Sequence, residues 1–177
     1  MIGLDGLRRG RVAVVGLDTT TGTPPLITEL AVVYAKDGVI TAGPLVFWVD
    51  PDAPVGTDVR PQSRAQTRLA PRWPEVADRV LAALSGRVVV THDADRLDIV
   101  RRHLPDWEPV DVAFTLDLAG QVWPGLDDYT LDAAVSHARI RRFPRVGPGS
   151  AVEAHAVALL LAALLRQAAP GQVLGGA

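Results

Sequence analysis

Cysteine is absent from these 177 residues, which excludes disulfides, thiolate catalysis and Cys-based zinc sites, and is compatible with a reducing cytoplasm. Lysine is almost missing: of 18 Lys and Arg residues only Lys36 is a lysine, a bias that fits a GC-rich genome and says little about function. A strong charge of either sign is missing too. The formal net charge of −2 gives no long-range attraction to nucleic acid, so any such binding has to use a local basic patch. Met1 to Gly10 mixes acidic and basic residues and has no apolar run of the kind a signal peptide needs. The most apolar stretch, Ala154 to Leu165, contains His155 and is short for a bilayer. It reads as a buried helix, with no membrane association and a cytoplasmic location expected.

What is present is a chain with a core. At 48% hydrophobic and 21% charged residues, the composition is that of a single globular domain. Arg11 to Asp18 is a Val-rich run that reads as a central strand buried on both faces. Leu26 to Ala35 and Val39 to Val49 follow as strands joined at Asp37-Gly38, a hairpin signal. Gly43-Pro44 interrupts or ends the third strand. The Pro-rich stretch from Asp50 reads as loop, and Pro74 then opens a helix over Glu75 to Leu84. Strands are expected at Arg87–Thr91 and Asp111–Leu116, and helices at Asp95–Leu104, Thr130–Ala138 and Ala151–Gln167. The order predicts an α/β fold: an antiparallel meander of three strands extended by parallel ones, five in all, flanked by helices. Residues 1–10 and 168–177 are expected to be flexible, with the domain over 11–167.

The chemistry-bearing segment is VVGLDTTTG, Val14 to Gly22. A carboxylate at the end of a buried strand is costly unless something pairs with it. Two accounts fit Asp18: its side chain caps the following turn, or it belongs to a metal site. The segment resembles the first motif, D-x-E-T-G, of the DnaQ-like DEDDh 3′–5′ exonucleases, a family of ribonuclease H-like fold. Asp18 matches the Asp, while Thr20 stands where the Glu belongs. The resemblance continues in order. Ile27-Thr28-Glu29-Leu30-Ala31 is similar to the family's second strand, and Val89 to Ala94 (VVTHDA) to its V-x-H-N-A motif, with Asp93 for Asn. The metal-binding Asp of that motif falls on Leu97, flanked by Asp95 and Asp98. Phe114 to Ala119 and Tyr129 to Ala133 resemble the next conserved run. Aligning the last helix puts Glu153 on the metal-binding Asp and Pro148 on the general-base His.

The resemblance therefore implies a 3′–5′ exonuclease with degenerate motifs. Asp18 is kept, Glu153 is a conservative change, and Thr20, Leu97 and Pro148 lose their chemistry. A two-metal mechanism needs enough anionic ligands for both cations and a base for the attacking water, and proline offers no proton acceptor. Weak metal binding by Asp18 and Glu153 is the most these positions imply, with Mg²⁺ or Mn²⁺ as cofactor if the protein is active and none otherwise. For Glu153 an equal alternative is an acid in the first turn of a helix, which favours the dipole. His92 with Asp93 forms a superficial HD dyad but reads as a buried strand-end His with a backbone partner. His155 lies on another side of its helix from Glu153, and His103 and His137 read as surface or partly packed.

A binding surface remains. Arg139, Arg141, Arg142 and Arg145 cluster with Phe143 before the third motif, and an aromatic among guanidinium groups can grip phosphates and stack on a base. Arg60, Arg64, Arg68 and Arg72 recur at a spacing of four, on one face if helical. Three functions compete. One is an inactive binding or scaffolding module for single-stranded or 3′-terminal nucleic acid or for a protein partner. Another is an atypical active exonuclease with Glu29 or Asp98 as a third ligand. The third is a protein-interaction subunit with its cleft plugged by Leu97. The family's habit of pairing makes a homodimer a further expectation.

Overall fold

The computed structural model describes residues 4–53, 65–140 and 147–168. Eleven elements are considered: α1 (Leu4–Arg9), β1 (Arg11–Thr19), β2 (Ile27–Lys36), β3 (Val39–Trp48), α2 (Trp73–Leu84), β4 (Val88–Thr91), α3 (Ala94–His103), β5 (Asp111–Phe114), α4 (Thr115–Val122), α5 (Leu131–His137) and α6 (Gly149–Gln167). The five strands form one sheet in the order β3-β2-β1-β4-β5. β1, β2 and β3 are antiparallel neighbours, whereas β4 and β5 run parallel to β1. This is the mixed sheet that the sequence predicts.

β1 sits in the middle because both of its faces are apolar, as a strand covered on both sides must be. Val12 and Val14 point into a core shared with α1, α4, α5 and α6. Ala13, Val15 and Leu17 point to the opposite face, against α2 and α3. Each such Val or Leu fully removed from water contributes about 1.5–3 kcal/mol. β3 is an edge strand, so Pro44 is tolerated there. The strand runs on past Gly43-Pro44 rather than ending, with register shifts opposite Val32 and Tyr34.

α6 is apolar all round. By length and composition its 19 residues suffice to cross a bilayer, which the shorter run Ala154–Leu165 does not; yet 67% of its apolar span is buried inside the fold. It is the core helix, lying across β1 and β2.

Two expectations are corrected. The segment before residue 11, expected to be flexible, is helical from Leu4 to Arg9, because Leu4 and Leu7 are buried in the core. Arg8 then donates to the carbonyls of Leu165 and Ala168 at the end of α6, where a cation is favoured. The strand expected over Asp111–Leu116 stops at Phe114, and α4 begins at once, since Leu118 and Ala119 have to turn into the core. Residues 169–177 lie outside the described residues.

Candidate functional site

β1 and β2 carry their acids to one corner of the sheet. Asp18 and Glu29 are direct antiparallel partners, and directly opposed residues share a face. That face is the one α6 crosses. Gly16, two residues before Asp18 and so on the same face, lets the helix come close: a Cβ there would stand 2.2 Å from Ser150 O and 2.6 Å from Ala154 N.

The first turn of α6 leaves its N–H groups without intrahelical partners, and its N-cap is Pro148, which offers no side-chain cap. The sheet supplies the caps instead. Glu29, 1% exposed, accepts from Ser150 N at 2.8 Å and from the Ser150 hydroxyl. The Asp18 carboxylate lies over Gly149, where a Cβ would come within 2.3 Å of its Oδ2. Negative charge at this end of a helix is favourable. Replacing Glu29 by Ala would strand the buried Ser150 donors and leave a cavity, at an expected cost of about 3 kcal/mol. Urea denaturation would read this, and a loss below about 1 kcal/mol would contradict the capping role.

Glu153 sits one turn further along. Its Oε2 accepts from Leu17 N at 3.1 Å, and its Oε1 is paired with Arg96 Nε at 3.1 Å. Burial raises its pKa from the ordinary 4.5 to about 7, outweighing the opposite pull of Arg96 and of the Leu17 N–H, while Asp18 and Asp93 push it further up. Desolvation therefore wins over the ion pair, as it does for many enclosed acids.

Arg96 comes from α3, whose N-cap Asp93 accepts from Arg96 N at 3.0 Å. His92, at the end of β4, is 6% exposed. Its Nε2 lies 3.0 Å from Tyr129 O and its Nδ1 2.9 Å from Thr115 Oγ1. A carbonyl can only accept, so Nε2 carries the proton and Nδ1 accepts from the Thr115 hydroxyl. Burial lowers the pKa of this His, in keeping with the neutral ring. His92, Asp93, Arg96, Tyr129 and Glu153 line an open cleft of about 590 Å³, with Asp128 and Asp132 on it as well.

The remaining predicted positions fall elsewhere. Thr20 spans the β1–β2 turn: its N donates to Leu26 O and its Oγ1 accepts from Leu26 N at 3.0 Å. Leu97, 1% exposed, is packed in the core beneath α2 and α3 and does not line the cleft, so the idea of a cleft plugged by Leu97 is set aside. Asp98 is two-thirds exposed and meets Arg101 at 4.0 Å. His155 Nδ1 lies 3.2 Å from Ala151 O within its own helix. Arg139 is exposed at the end of α5 with φ 53°, and Arg72 pairs with Asp52 at 3.0 Å. Arg60, Arg64, Arg141, Arg142, Phe143 and Arg145 lie outside the described residues.

Motif alignment missed Arg96. It precedes the aligned position, Leu97, by one residue, and the length of its side chain carries the guanidinium to Glu153. Among the described residues no group of three or more His, Asp or Glu side chains is placed to hold a metal ion. The donor chemistry agrees. A cation already stands against Glu153, both oxygens of that acid are engaged, and the carboxylate expected at position 97 is a buried leucine. These residues do not fit a two-metal centre.

No family model and no curated protein matches the sequence. Solved structures do. The chain is similar to exonuclease X in complex with 5′ overhanging duplex DNA, at 24% identity and TM-score 0.63 over 88% of this chain and 91% of that one. It is similar to a moderately thermophilic exonuclease I from Methylocaldum szegediense at 16% identity and TM-score 0.69, covering 92% of this chain but only 41% of the other. A full-length 3′-exonuclease superposes at 12% identity and TM-score 0.68, over 93% and 89% of the two chains. The chain thus spans about two-fifths of exonuclease I and nearly all of the other two.

Proposed function

Because this chain has the fold of the DnaQ-like DEDDh 3′–5′ exonucleases, we propose that it is a nucleic-acid-binding module in which exonuclease chemistry is impaired or lost. The observation that carries the reading is the state of Glu153. At the helix position that aligns with a metal-binding Asp, it is held between a main-chain N–H and a guanidinium. Burial raises its pKa to about 7, and the guanidinium already beside it supplies the positive charge that such an enclosed acid calls for. The flanking losses point the same way. Pro148 supplies no base, Thr20 is spent on a turn, and Leu97 is core.

The ligand this reading favours is a single strand or a 3′ end. The similar structures include an exonuclease X bound to duplex DNA with a 5′ overhang, a 3′-exonuclease recognising the end of a histone mRNA stem-loop and an exonuclease I with an oligonucleotide. The cleft of this chain opens beside the end of β4 and the first turn of α3. Mg²⁺ or Mn²⁺ belongs to the protein only under the active alternative.

A 5′-labelled single-stranded oligonucleotide, incubated with Mn²⁺ and separately with Mg²⁺, tests the proposal. We expect the oligonucleotide to be retained in a binding assay and to remain full length. Stepwise shortening from the 3′ end that Asp18→Ala abolishes would overturn the reading in favour of an atypical nuclease. Absence of both digestion and binding would overturn it in favour of a protein-interaction subunit.

A further inference from the structure

The guanidinium of Arg96 is half used. Nε is spent on Glu153 Oε1 at 3.1 Å, and the side chain stays 34% exposed. Among the described residues its Nη1 and Nη2 have no protein partner, and the residue lines the cleft together with His92, Tyr129 and Glu153. An Arg fixed through Nε presents its remaining N–H groups as a planar fork, and the natural complement of a fork is an oxyanion with two oxygens to offer. The fork is also held in place, because Asp93 caps the first turn of α3 through Arg96 N and so sets where the side chain begins.

Resting on the nucleic-acid reading above, we propose that Arg96 is the resident cation of this cleft and that its free edge holds one phosphate of the bound strand without any divalent metal. It stands against Glu153, an acid whose charge Asp18 also opposes. Unlike a metal ion it cannot dissociate or be chelated.

The rest of the cleft limits the contact to one phosphate. Asp128 and Asp132 carry negative charge on the same rim. Asp128 is turned onto its own loop, accepting from Thr130 N and Thr130 Oγ1 at 2.8 Å each, and remains an anion that repels neighbouring phosphates. Among the described residues that line the cleft, only the guanidinium edge of Arg96 is favourable.

The test is fluorescence anisotropy of a short 5′-labelled single-stranded oligonucleotide with EDTA present throughout, repeated over a series of salt concentrations. Wild type is expected to bind equally well with EDTA and with Mg²⁺. Arg96→Gln should weaken binding on the order of tenfold, the worth of one charge-assisted contact. It should also lower the slope of log K against log salt by about 0.7, the value of one single-strand phosphate contact. Arg96→Lys should keep the slope while losing part of the affinity, which separates charge from structural damage. An unchanged affinity and slope in Arg96→Gln, or loss of wild-type binding in EDTA, would overturn the role of Arg96 and leave the nucleic-acid reading intact. Failure of wild type to bind under any condition would overturn both.

Discussion

Gly16→Ala is expected to cost this protein about 4 kcal/mol, near the upper end for a single substitution. The added methyl would sit 2.2 Å from Ser150 O, 2.6 Å from Ala154 N and 3.1 Å from Glu153 Cβ. Two of these are backbone atoms of α6, which no side-chain rotation can move. Relief therefore means lifting the helix from β1, and the same helix turn holds the Ser150 contact to Glu29 and the Glu153 contact to Leu17. For a domain of this size each kcal/mol lowers the melting temperature by about 2–4 °C, so the effect reads directly in a thermal scan. Gly22→Ala is the control: its Cβ would meet nothing nearer than Thr20 Oγ1 at 3.7 Å, and it should melt within a degree or two of wild type. Similar melting of the two variants would contradict the close helix–strand approach.

Glu153→Gln should change how stability depends on pH. The folded chain holds the proton on Glu153 more tightly than the unfolded chain does, about 7 against 4.5. Between those values the native state binds more protons, so stability falls as pH rises. The contribution is fully present below the unfolded value and is lost on passing through about pH 7. The span corresponds to about 3 kcal/mol, undiminished by solvent because the side chain is only 14% exposed. Gln is neutral at every pH and can still accept from Leu17 N. Near the unfolded pKa the variant should match wild type, and at mildly alkaline pH it should exceed it by up to about 3 kcal/mol. Arg96, a third exposed, is left to water at small cost. Denaturation curves across that pH range decide the matter, and parallel curves for the two proteins would refute the buried-acid account.

The sheet and most helices were legible because their signals are local. The Val runs of β1 and β4 have apolar side chains for both faces, Asp37-Gly38 turns β2 into β3, and Val76, Val80 and Leu84 recur at helical spacing on α2. What escaped depends on distant parts of the chain. α1 offers only Leu4 and Leu7 between charges, and they become core residues because α6, over 150 positions later, lies beside them. α4 follows β5 without any turn residue, so one apolar run hides the change of period at Thr115. The acids at the site were legible as residues but not in their use. Asp18 was read as the end of a buried strand, while its place over Gly149 follows from how α6 docks. Alignment directs attention to position 97, whereas geometry puts the neighbouring Arg96 in the cleft and Leu97 in the core.

The way α6 is fastened also bears on when the protein acquires its shape during synthesis. Leu17 waits for Glu153, 136 positions later, and Glu29 for Ser150, 121 positions later. Until that helix has left the ribosome, the face of β1 and β2 bearing Val12, Val14, Ala31 and Val33 has nothing to cover it. At roughly 5–20 residues per second the exposed interval lasts seconds, long enough for a bare apolar sheet to meet other chains. Translation of α6 is thus the step that commits this fold. A nascent chain halted before Gly149 should need a chaperone on that face, and one extended through Gln167 should release it.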